Sequence, residues 1–160
     1  MRKALQASLA AIVALGLAAC ETNGTARGGL FGGCDTGTAR GIEAEVWEKA
    51  DVAAIRIRQG NFSPMVVHAA KGRPTILRIV NGDDEFHTFK APEFFRNISI
   101  AKVTRGTDED GPGCHSLLTI PAQRTVEIHF VPLNDGHYEF QDDLIPLVFS
   151  GGSVGIVNVR

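Results

Sequence analysis

The sequence has no block of lysine or arginine, no internal repeat and no apolar stretch outside its first twenty residues long enough to be a helical span. Without a basic patch there is no electrostatic footprint for nucleic acid, and that role is set aside. Catalytic signatures are missing as well. No Gly-x-Ser-x-Gly elbow occurs, and the glycine-rich string 150–153 lacks a phosphate-loop lysine and leads into a strand pattern. The paired acids Asp83-Asp84 and Asp142-Asp143 are sequence neighbours, which diverge in space, so neither resembles a glycosidase dyad. A non-enzyme is expected.

What is present begins at the N-terminus. Arg2 and Lys3 precede an uncharged apolar run that ends in Leu17-Ala18-Ala19-Cys20. This is the layout of a secretory signal peptide. At ~1.5 Å per residue the run is short for ~30 Å of hydrocarbon. The final four residues resemble a bacterial lipobox, which implies cleavage after residue 19 and lipidation of Cys20. Acyl chains contribute ~0.8 kcal/mol per buried CH₂, so a multiply acylated cysteine is a stable membrane anchor. Glu21 stands where an aspartate would favour inner-membrane retention, so an outer-membrane anchor facing the periplasm is expected. Removing the leader's two basic residues from 16 basic against 18 acidic leaves a net charge of about −4.

Two further cysteines, Cys34 and Cys114, remain. In an oxidising compartment they are expected to form a disulfide. The rival is a metal role for Cys114 with His115, but adjacent strand residues point to opposite faces. The expected organisation is a leader (1–19), a glycine-rich tether with the lipidated cysteine (20–50) and one domain (51–160). Residues 43–50 read equally as a short helix or as an extended lead-in.

From residue 51 the pattern is that of strands. Ile55-Arg56-Ile57-Arg58 alternates, and so do Val126, Ile128 and Phe130 with Glu127 and His129, and Tyr138 and Phe140 with His137 and Glu139. Turn residues separate these runs, as at Asn81-Gly82-Asp83-Asp84 and Asn134-Asp135-Gly136. An all-β sandwich or barrel follows. Phe94 and Phe95, after Pro92, are read as a core plug, and Asp108-Glu109-Asp110 as a solvated loop. His129 and His137 alternate away from the apolar positions and are expected to face solvent, where they could be cross-strand neighbours. The face of His68 is ambiguous.

Several strings in order resemble the cupredoxin superfamily, which are Greek-key β-sandwiches. These are Asn61-Phe62-Ser63-Pro64, His87-Thr88-Phe89, Asp135-Gly136-His137-Tyr138 and the closing run 152–159. The resemblance covers 53–159 and implies a copper ligand at His87. It also places Asp142 where the family has its thiolate and Ser153 where it has its axial thioether, with no second histidine in 143–150. A blue centre needs a thiolate and two imidazoles, so none is expected. A non-blue site could still join His87 to Asp142 or Asp143, with Glu85 or Met65 as further candidates and copper as the ion. The alternative is a metal-free structural or protein-interaction lipoprotein, with an envelope protein as its partner.

Overall fold

A computed structural model describes residues 34–142 and 153–160. The leader, the lipobox with Cys20, Asp143 and the glycine-rich string at 150–152 lie outside the described residues. No helix among the described residues is long and apolar enough to cross a membrane.

The alternating segments form two mixed sheets. The first holds β1 (Asp51–Arg58), β2 (Asn61–Ser63), β4 (Thr75–Asn81), β6 (Ile98–Arg105), β7 (Asp108–Asp110) and β9 (Thr125–Pro132), in the order β2-β1-β4-β9-β6-β7. The second holds β3 (Val66–Ala69), β5 (His87–Lys90), β8 (Leu117–Ile120), β10 (Gly136–Gln141) and β11 (Val154–Val159), in the order β3-β11-β10-β5-β8. Two pairs, β1 with β4 and β3 with β11, are parallel, and the others are antiparallel.

The inward faces of β1, β9 and β10 are those the alternation predicts. Ile55, Ile57, Leu77, Ile79, Val126, Ile128 and Phe130 of the first sheet meet Phe89, Phe140, Val157 and Val159 of the second. A short helix, α2 (Pro92–Arg96), starts at proline, whose fixed φ suits a first turn. It delivers Phe94 and Phe95 fully buried into the core. Phe94 packs edge-on to Phe130 at 5.2 Å, and Phe89 stacks on Phe140 at 4.9 Å.

Cys34 and Cys114 are bonded, with their Cα atoms 5.6 Å apart. Beyond the bond, the arm 35–50 is seated on the first sheet. Asp35 bridges to Ser99 on β6, Ser99 donates to Asp35 Oδ1 at 2.6 Å, and the Ala39 N–H donates to Ser99 Oγ. Burial pushes the Asp35 carboxyl up, but hydrogen bonds from Ser99, Thr38 and Gly37 together outweigh it and hold it low. The open choice at 43–50 resolves as α1 (Ala44–Glu48).

This arm corrects one expectation. His129 does sit on the outer face of its sheet, but Trp47 of α1 covers it edge-on at 5.3 Å and leaves it 8% exposed. Alternation reports the face of a strand residue and carries no information on what lies over that face. Burial, with Lys102 alongside, holds the His129 pKa below its ordinary value. Nor are His129 and His137 cross-strand neighbours, because β9 and β10 belong to different sheets. Asp108, Glu109 and Asp110 form an exposed edge strand instead of a loop, and Glu109 and Asp110 pair with Lys102 and Arg105.

Candidate functional site

One end of the sandwich gathers the end of β4, the start of β5, the end of β10 and the start of β11. Asn81, buried at the end of β4, organises the approach. Its side-chain amide faces the carbonyls of Glu85, Ile120 and Pro121, and its Oδ1 accepts the Asp83 N–H. Two amide hydrogens therefore serve three carbonyls. The loop 82–86 is fixed as a result, and Asp83 is turned toward β5.

His87 opens β5 and is 6% exposed. Its Nδ1 lies 2.6 Å from Asp142 Oδ2, and its Nε2 lies 3.0 Å from Asp83 Oδ2. The second oxygen of Asp142 accepts both the backbone N–H and the hydroxyl of Thr88, at 2.9 and 2.8 Å. Asp83 also accepts the N–H groups of Gln59 and Gly60 in the β1–β2 turn. Those two backbone bonds, Gly60's first, are the main reason the Asp83 carboxyl is held below the usual range. Ser153 belongs to the same end, where its hydroxyl accepts the Phe62 N–H at 2.9 Å and its carbonyl accepts the Asp142 N–H.

The chemistry of the array follows from proton counting. An imidazole facing a carboxylate at each nitrogen can donate to both only as imidazolium. As a neutral ring it donates to one and turns a lone pair on the other. At 2.6 and 3.0 Å both gaps are those of hydrogen bonds, and a ring nitrogen that carries no proton can serve as a metal ligand. The carboxylates lie against opposite ring nitrogens. Accordingly, no three His, Cys, Asp or Glu side chains among the described residues converge to hold one ion.

The expected pair His87 and Asp142 are brought together. Glu85 and Met65 do not join them: Glu85 enters only through its backbone carbonyl, and the Met65 side chain is 55% exposed while its carbonyl accepts the Ile156 N–H. Asp83 was missed. Its only sequence signal is a position four residues before His87 in a turn, and turn residues usually face solvent.

Solved structures resemble this arrangement of sheets. The blue copper oxidase from Nitrosomonas europaea is similar over 70% of this chain and 45% of its own, with TM-score 0.51 and 14% identity. A variant of the McoA multicopper oxidase from Aquifex aeolicus matches over 71% of this chain and 30% of its own, with TM-score 0.50 and 15% identity. The fold is cupredoxin-like.

Amicyanin from Paracoccus versutus aligns over 76% of this chain and 88% of its own, at TM-score 0.44 and 15% identity. This chain spans less than half the length of either oxidase. No family profile matches the sequence, and no curated protein does either. At such identities the likeness concerns the cupredoxin-like fold and not the metal. The residues present do not fit a blue copper centre, which needs a thiolate and two imidazoles, because His87 is flanked by Asp142 and Asp83 and both described cysteines are joined in the disulfide. The donor set at His87 is instead one imidazole with carboxylates.

Proposed function

We propose that this chain is an envelope lipoprotein, anchored through acylated Cys20, whose cupredoxin-like domain handles a copper ion at a non-blue site on His87. The observation that carries this reading is the imidazole held between the Asp142 and Asp83 carboxylates. With Asp142 accepting from Nδ1–H, the Nε2 lone pair is the ligand and Asp83 the neighbouring oxygen donor. A carboxylate behind a metal-binding imidazole orients the ring and raises its basicity. Bound there, Cu(II) would supply the positive charge that the two carboxylates call for, and a nitrogen and oxygen donor set suits that ion. So few protein donors suit an ion that is taken up and passed on. The reading is of a carrier and assigns no catalysis.

A second reading has its own observation. Asp83 already accepts two backbone N–H groups. With a proton on Nε2, the array is a latch tying the turn at 59–60 to the ends of β5 and β10. The domain is then a metal-free scaffold that docks an envelope protein.

One titration separates the two. The full chain, carrying Cys20→Ser so that no thiol competes, is titrated with Cu(II), Cu(I) and Zn(II) against a chelator, beside His87→Ala and Asp83→Asn. An ion that is lost in His87→Ala and weakened at least tenfold in Asp83→Asn supports the carrier. Identical binding in all three chains rules it out and leaves the latch.

A further inference from the structure

The outer face of the second sheet carries a row of polar side chains that neither reading uses. Val67 of β3, Tyr138 and Phe140 of β10, and Val157 and Val159 of β11 point into the core. By strand alternation His68, His137 and Asn158 therefore point outward. Register aligns them, with Asn158 opposite His68 on one side and opposite His137 on the other. Neighbouring strands are ~4.8 Å apart, so the two histidines stand about 10 Å apart with the amide between them. Each imidazole, with a metal–nitrogen bond of ~2 Å, spans about half of that gap.

A second observation comes from the amide itself. His68 and His137 are exposed, yet Asn158 is only 6% exposed and its Oδ1 is buried with no hydrogen-bond partner among the described residues. Buried polar atoms are nearly always satisfied, and one that is not points to an absent donor or ion. Here the unsatisfied oxygen belongs to a side chain between two imidazoles on the same face. Glu139, exposed and two residues from His137 on that face, adds negative charge nearby.

We infer that His68, Asn158 and His137 form a surface site for an imidazole-seeking divalent ion, with the two histidines as nitrogen ligands and Asn158 Oδ1 as the oxygen donor beneath. Among such ions Cu(II) is favoured by the general order of affinities and by its preference for nitrogen and oxygen donors in a plane. The site is separate from His87, which lies buried on β5 with β10 between it and β11.

The test uses the full chain with its disulfide intact, Cys20→Ser and no affinity tag. Cu(II) and Ni(II) are titrated against a chelator for the His87→Ala chain and for the same chain with His68→Ala, His137→Ala, both, or Asn158→Val. One ion per chain is expected to survive His87→Ala. It should weaken at least tenfold with either histidine removed, disappear with both, and show coupling of Cu(II) to two nitrogens in its electron paramagnetic resonance spectrum. Both histidines are exposed, so thermal unfolding of the metal-free variants should match the parent. Undiminished binding in the double histidine variant overturns the inference, as does an absence of binding in the His87→Ala parent.

Discussion

The Asp142 carboxylate lies 2.6 Å from His87 Nδ1, and its other oxygen holds the backbone and side chain of Thr88. Both side chains of the His87–Asp142 pair are more than nine-tenths buried. Removing Asp142 leaves the buried His87 nitrogen and both Thr88 donors without their acceptor, and an unsatisfied buried polar group is costly. Asp142→Ala is expected to lower stability by about 3 kcal/mol, judged from buried polar groups elsewhere. Urea unfolding checks this, and a loss below ~1 kcal/mol would show the carboxylate contact to be replaceable by water.

His129 supplies a pH signature. Burial, then Lys102, depresses its folded-state pKa below 6.5, and burial with Arg105 does the same for His115. Below 6.5 the unfolded chain takes up protons that the folded chain refuses. These groups therefore leave stability intact above 6.5 and erode it as pH falls below that value. Unfolding free energy should decline from pH 7 to 5, and His129→Phe should flatten the decline. Asp83 and Asp35, whose pKa values are depressed, act in a separate window below 3.8. An unchanged slope in His129→Phe would count against the burial beneath Trp47.

The disulfide joins residues 80 apart and pins the arm that carries Trp47. On loop-closure entropy alone its removal should cost about 4.5 kcal/mol. Cys34→Ala with Cys114→Ala is also expected to shift the emission of the single tryptophan to the red, as the arm frees itself from β9. Denaturant titration followed by tryptophan fluorescence measures both effects. An unshifted emission would mean that the Asp35–Ser99 contacts hold the arm without the bond.

Gly155 reports on how closely the second sheet is packed. A Cβ there would collide with the buried Phe140 ring and would lie 2.6 Å from the Met65 carbonyl oxygen. Gly155→Ala is expected to cost ~2 kcal/mol through this overpacking. Val, which is larger, should cost more. Thermal unfolding of the two variants gives the order, and an alanine variant as stable as the parent would mean that β3 moves aside.

The all-β class, the inward positions of β1, β9 and β10, the core plug at Phe94 and Phe95 and the pairing of Cys34 with Cys114 were legible in the sequence. Each depends on local period, turn chemistry or redox environment, which neighbouring residues encode. Which histidines are covered, and by what, was not legible. His129 shows the limit: its face was readable, but Trp47 reaches that face from about 80 residues away. The same holds for Asp83, whose direction is set by the hydrogen bonds of Asn81 to its own loop and to residues 120–121.

By itself, then, the sequence determined the alternation, the turns and the cysteine pair, because these are properties of residue type and spacing. Only the tertiary structure decided that His87 would lie between Asp142 and Asp83, and that His68 and His137 would flank Asn158 across β11. Both depend on strand order and register between segments distant in the chain, and those are set by the packing of two whole sheets and not by any local pattern.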